Sequence, residues 1–192
     1  MILKHLKEET RVQHEEVEAA VDVMNQMFDL DDYKRLLERF WGYYAAFEPE
    51  LPIEEMKAAG FDYSERVKLP LIEADAKVLG LVREDHGLEL PDISTVAKAF
   101  GSLYVIEGST LGGQVISRHL QQHLGITSEN GGAFYAGYGH ETGPMWKAFG
   151  ESLTRFAEEK DVDDEIIEAA KATFASITKW VGRKTNAAPR NS

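Results

Sequence analysis

Apolar residues return every three or four positions along nearly the whole chain, and no run alternates apolar with polar, so the pattern predicts helices throughout and no strands. From Leu3, the positions Leu6, Thr10, His14, Val17 and Val21 share one stripe while Lys4, Glu8, Glu9, Glu15 and Glu16 fall largely elsewhere. That predicts an amphipathic helix with a histidine on its inward side. A second helix, capped by Asp31 or Asp32, runs through Tyr33, Leu36, Leu37, Phe40, Tyr43, Tyr44 and Phe47 and stops near Pro49 and Pro52. A short helical piece over 53–60 ends at Gly60, and another helix covers 64–87 with a disturbance at Pro70. Pro91 and Asp92 open a long helix over 93–124, which Gly125 ends. Residues 128–143, rich in glycine and aromatics, predict an ordered loop. Pro144 starts a helix reaching Lys160, and the last begins at Asp163 or Asp164 and carries Ile166, Ile167, Ala170, Phe174, Ile177 and Val181. The expectation is an all-α bundle of about six or seven helices, one of them kinked, forming a single domain over 1–185 with a loose tail over 186–192.

The long helix is the anomaly. Leu103 to His119 reads as helix on both flanks yet holds Gly108, Gly112 and Gly113, each costing about 1 kcal/mol of helix stability relative to alanine. Glycines at i and i+4 strip one face of side chains, so another body can approach the backbone, and the Gly-Gly pair permits a kink. That body is either a crossing helix or a flat cofactor; the pattern alone leaves both open.

Composition narrows the chemistry. The 192 residues carry 33 acidic against 21 basic side chains, a formal net charge of -12, which opposes any general attraction to nucleic acid or anionic membranes. With no cysteine, disulfides, thiolate metal sites and cysteine nucleophiles are excluded. The N-terminus lacks a signal-peptide core and nowhere do eighteen apolar residues run together, so the expectation is a cytoplasmic protein.

His14 is the first chemical candidate. A neutral imidazole can ligate a metal through one nitrogen if the other is fixed by a partner, and Glu18 lies one turn further on. The plainer reading is a satisfied core histidine. Lys7 projects from nearly the same face, roughly 10 Å away at the helical rise, where it would meet a carboxylate at the edge of a ligand centred on His14, or simply solvent. His119 and His123 are four apart but lack the glutamate of a zinc-protease motif and read as surface residues. No histidine has a glutamate three residues before it, which excludes a ferritin-like di-iron site, and no phosphate loop, nucleophile elbow or dinucleotide fingerprint is present.

Two stretches together resemble the heme oxygenase family. Leu6-Lys7-Glu8-Glu9-Thr10-Arg11-Val12-Gln13-His14 is similar to the segment around its proximal histidine, and Gly108-Ser109-Thr110-Leu111-Gly112-Gly113-Gln114-Val115 to its distal helix. Chain length, helix order and the Glu168–Phe174 region fit as well, so the resemblance covers nearly the whole chain. The glycine-serine form of the distal motif looks most like bacterial members, including those that supply biliverdin to bacterial phytochromes. The resemblance implies His14 as axial ligand, Glu18 as hydrogen-bond partner of its far nitrogen, and Lys7 and Arg11 at the heme propionates. It implies Gly108 and Gly112 as the backbone face against the heme, Gly113 as a source of flexibility, Phe174 as a pocket wall and Lys147 as a further propionate partner. Many members carry aspartate after the first distal glycine to organise the waters that deliver protons. Here Ser109 stands there, and this departure bears on the proton pathway.

The resemblance further implies heme as both cofactor and substrate, cleaved with O2 and external electrons to biliverdin, carbon monoxide and ferrous iron. The donor would be a ferredoxin or a flavin reductase. An acidic ferredoxin needs a positive landing site, which Lys4, Lys7, Arg11, Lys147, Lys179, Arg183 and Lys184 would have to form together. The competing readings are a heme carrier or sensor of the same fold, a thiaminase-like enzyme, which lacks its cysteine here, and a purely structural helical protein whose glycines serve helix crossing.

Overall fold

The computed structural model describes residues 2–25 and 28–183, so the tail over 186–192 and Lys184 lie outside the described residues. Among these there are nine α-helices and no strand: α1 (Ile2–Glu9), α2 (Arg11–Val21), α3 (Leu30–Phe47), α4 (Ile53–Ala58), α5 (Leu69–Leu79), α6 (Val96–Leu124), α7 (Ala133–Ala136), α8 (Thr142–Lys160) and α9 (Asp163–Val181). No helix among them is long and apolar enough to cross a membrane.

Local chemistry explains where the helices depart from the pattern. The first expected helix bends at Thr10, whose backbone relaxes to φ -104, ψ 7. The ladder still crosses the bend, with the Thr10 amide donating to Leu6 O and the His14 amide to Thr10 O, both at 2.9 Å. The Thr10 hydroxyl donates to the same Leu6 carbonyl at 2.7 Å and competes with the helical bond there. α3 is capped by Asp29 rather than Asp31 or Asp32: the Asp29 carboxylate accepts the Asp32 amide at 2.8 Å, and the Asp32 carboxylate accepts the Asp29 amide at 3.2 Å. The expected helix over 64–87 is shorter, because Pro70 sits in the first turn of α5 instead of disturbing its middle, and Gly80, at φ +66, ends it in the left-handed conformation. α6 starts at the Thr95 cap, leaving Pro91 and Asp92 in the connector.

The segment over 128–143 is ordered by long-range bonds. The Asp75 carboxylate accepts the Ala133 and Phe134 amides at 2.8 Å each, and the Tyr33 hydroxyl donates to Gly131 O at 2.8 Å. Burial still pushes the Asp75 carboxyl up, against the pull of those two amides.

The core is organised around the crossing of α6 and α9. A Cβ on Gly101 would stand 2.2 Å from Ile166 O and 2.8 Å from the Ala169 Cβ, so the two backbones touch there. One residue on, the fully buried Thr173 hydroxyl donates to the Ser102 hydroxyl at 2.7 Å. The glycine that serves helix crossing is therefore Gly101, seven residues before the glycine group of the sequence anomaly. α6 continues as one helix through Gly108, Gly112 and Gly113. α2 also packs along α9, which makes α9 a shared floor beneath the proximal-type and glycine-rich segments.

Candidate functional site

The inward stripe of the first segment is buried only as far as Thr10. Leu6 and Thr10 are 0% and 2% exposed, whereas α2 contains no buried residue and the His14 side chain is 57% exposed. The expected core histidine is therefore a rim histidine, because α2 rests on α9 along one side and carries nothing over its outer side. Its ring stands edge-on to Phe174, with centroids 5.8 Å apart and planes at 78°, and Phe174 itself is buried in α9. His14 Nδ1 is turned toward Glu18, 3.7 Å from Oε1, a charge-pair distance too long for a direct hydrogen bond.

On α6, Gly108, Leu111, Gly112 and Val115 follow i, i+3, i+4, i+7 spacing and share one face. That face is open. A Cβ at Gly112 would have nothing within 4 Å, one at Gly108 would make only ordinary contact with the Trp146 ring at 3.7 Å, and Leu111 and Val115 are 42% and 51% exposed. Gly113 is different: it is buried, and a Cβ there would stand 3.1 Å from Tyr135 O. Beside it the Gln114 amide donates to Ala136 O at 2.9 Å, so the role the structure gives Gly113 is close packing of α7 on α6. Ser109 donates its hydroxyl to Ile106 O at 2.7 Å, which leaves its lone pairs as acceptors.

Two aromatics that the pattern did not single out join this face. Tyr104 lies one turn before Gly108 on α6, with its ring 5.8 Å from that of Trp146, and its hydroxyl sits beside Thr10 at the α1–α2 bend. Tyr104 thus ties the glycine helix to the turn immediately before His14. Lys147 follows Trp146 but faces solvent and pairs with Glu151 at 3.8 Å. Of the other expected edge cations, Arg11 pairs with Glu15 at 3.1 Å and Lys7 is exposed near the end of α1. Lys4 and Lys179 also carry their own carboxylates, Glu8 at 3.7 Å and Glu89 at 2.5 Å, while Arg183 caps the carbonyls of His86 and Gly87. No unbroken positive surface forms from these side chains.

Beside the open face, along one flank of α6, lies a buried charge cluster. Glu107, the residue before Gly108, is fully buried and receives Arg66 Nη1 at 2.5 Å, Lys68 Nζ at 3.1 Å and the Tyr138 hydroxyl at 2.8 Å. Lys68 also bonds Tyr138, and burial lowers its ammonium pKa against the opposing pull of Glu107. Glu48 completes the set, accepting the Lys68 amide at 2.6 Å, the Leu69 amide at 3.2 Å and the Tyr63 hydroxyl at 3.0 Å. Its carboxyl is raised by burial in spite of those donors. The one sequence signal for this cluster is a lone glutamate directly after the apolar run Leu103–Ile106; Arg66 and Lys68 sit in a connector with no periodicity to mark them.

Known proteins share this arrangement of helices. The family model described as heme oxygenase matches residues 1–75 and 87–183. The chain belongs to the heme oxygenase family. A heme oxygenase of Xanthomonas campestris pv. campestris (strain 8004) is 30% identical over 148 residues, covering 77% of this chain and 87% of the relative. Among heme oxygenases of known structure, that of Neisseria meningitidis, solved with NO and CO bound, superposes with a TM-score of 0.81 at 25% identity, covering 100% of this chain and 98% of that one. Heme oxygenase 2 of Chlamydomonas reinhardtii, solved without heme, shares the fold with a TM-score of 0.74 at 15% identity over 94% and 95% of the two chains.

Proposed function

We propose that this protein is a catalytic heme oxygenase that holds heme between His14 and the open face of α6 and converts it, with O2 and external electrons, to biliverdin, carbon monoxide and ferrous iron. The observations that support the reading are a rim imidazole edge-on to Phe174 and a helix face bare at Gly112 and apolar at Leu111 and Val115, with Tyr104 joining that helix to the turn before His14. These groups suit a flat, largely apolar macrocycle with a metal at its centre: a neutral nitrogen donor on one side, unobstructed backbone on the other.

Bound heme supplies both the iron at which oxygen is reduced and the carbon skeleton that is opened. The chain supplies placement. With Nδ1 toward Glu18, His14 would present Nε2 as the ligating nitrogen, and the Glu18 carboxylate, 3.7 Å away, would favour the tautomer that carries its proton on Nδ1. Lys7 and Arg11 hold the propionates at the α1–α2 edge, with Lys147 a further cation beside Trp146. Gly108 and Gly112 let the α6 backbone lie close to the ring, a position any larger side chain would fill. Ser109, its hydroxyl hydrogen committed to Ile106 O, accepts a hydrogen bond from water and holds that water in place of the aspartate found in many members. Because Lys4, Arg11, Lys147 and Lys179 are interleaved with glutamates, we favour an electron donor that does not need a positive landing site over an acidic ferredoxin. Dependence on soluble reducing power puts the reaction in the cytoplasm, and a bacterial phytochrome is one consumer of the bilin.

The test is turnover of the heme complex. Supplied with O2 and a reductant, it is expected to lose its Soret band and yield an extractable bilin; heme recovered intact after repeated reduction would make the protein a carrier instead.

A further inference from the structure

Glu107 has no part in the scheme above, yet it is the most completely buried charge next to the site. A buried ion set of this kind contributes little net stability, since desolvation offsets most of the attraction, but it fixes direction: each partner must stay where the other's charge is. Both carboxylate oxygens are engaged, Oε2 by Arg66 and Oε1 by Lys68 from the same connector and by Tyr138 from the α7–α8 segment, which restrains the group's rotation. Arg66 has a second hold, donating through Nη2 to Met145 O at 3.2 Å. Met145 precedes Trp146, whose ring stands 3.7 Å from the Cβ position of Gly108, and Gly108 itself follows Glu107. The two surfaces that bound the bare spot at Gly108, the α6 backbone and the Trp146 ring, are thus hung from one carboxylate through one guanidinium.

We propose that Glu107 and Arg66 are positioning residues: they set the gap between Trp146 and the α6 backbone at Gly108, and through it the seating of the heme. This rests on the heme-site reading above for its consequence, but not for its geometry. Neutralising Glu107 releases Arg66 from α6, and replacing the Arg66 fork by a single ammonium keeps the charge while losing the simultaneous grip on Glu107 and Met145 O.

The experiment uses the full chain with Glu107→Gln and Arg66→Lys, each labelled with 5-fluorotryptophan. The protein has three tryptophans, and Trp146→Phe identifies the resonance of interest. In heme-free protein, the Trp146 fluorine signal is expected to shift or broaden in both variants while those of Trp41 and Trp180 stay in place. With heme, His14 ligation is expected to persist, with the water-to-hydroxide midpoint of the ferric complex displaced by about half a pH unit or more and the ratio of bilin isomers altered. A folded variant of either kind whose Trp146 signal, midpoint and isomer ratio all match the wild type overturns the proposal. Should Glu107→Gln fail to fold, Arg66→Lys alone decides on the same readings. A wild type that binds no heme overturns the heme-site reading, while the heme-free fluorine spectra still decide whether the clamp exists.

Discussion

Gly101 on α6 meets the carbonyl of Ile166 on α9 so closely that a Cβ at Gly101 would fall 2.2 Å from that oxygen. Neither partner is the flexible end of a side chain, so Gly101→Ala has to separate the two central helices of the fold. We expect it to destabilise the heme-free protein by about 1–3 kcal/mol, read as a lower melting temperature, with the loss of packing outweighing alanine's better helix propensity.

Gly112 is the counter-case on the same helix. Nothing lies within 4 Å of its Cβ position, so Gly112→Ala gains helix propensity of up to about 1 kcal/mol and displaces nothing. The heme-free melting temperature is expected to hold or rise. Heme affinity is expected to fall about tenfold, because in the proposed site the added methyl group would stand where the ring approaches the backbone. Calorimetry of the heme-free protein and heme titration, run side by side, check the two halves, and an alanine variant that binds heme as tightly as the wild type contradicts the placement of α6 over the ring.

Acid lability has an identified contributor. Lys98 Nζ, donating at 2.6 Å, together with the Ser94 hydroxyl and amide at 2.6 and 3.0 Å, holds the Asp92 carboxyl well below its usual range. Folding therefore favours its ionised form. The resulting stability is present above the unfolded value of about 4 and is lost as pH falls through the folded value. Asp92→Asn is expected to melt below the wild type at neutral pH and to converge with it in acid. Because the pair lies at the surface, added salt should narrow the neutral-pH gap. Melting curves across pH and ionic strength test both trends.

The three- and four-residue spacing made the fold class and the course of α3, α8 and α9 legible, because each buries one continuous apolar stripe. Boundaries set by single side chains were less so. Pro70 and Gly80 together define α5, yet a proline read as a disturbance and a glycine read as helical hide both ends. The bend at Thr10 leaves no pattern at all, since the hydrogen-bond ladder passes through it. Within the site, His14 and the glycines stand out because a histidine on an apolar stripe and glycines in a helix are locally costly choices. The exposure of His14 was not readable, because it depends on what α2 fails to pack against. Tyr104 and Trp146 look like ordinary core aromatics until α8 brings one to the other. Glu107 passed unnoticed although it is a charge directly after the apolar run Leu103–Ile106; its partners come from connectors, where spacing carries no information.

A heme seated against α6 would take its metal ligand from His14, and optical titration of ferric heme into the wild type and His14→Ala shows whether it does. The wild type is expected to form a one-to-one complex with the absorption bands of histidine ligation, and the variant to lose those bands and bind more weakly, with added imidazole restoring both. Identical spectra and affinities for the two proteins would mean that His14 is not the ligand.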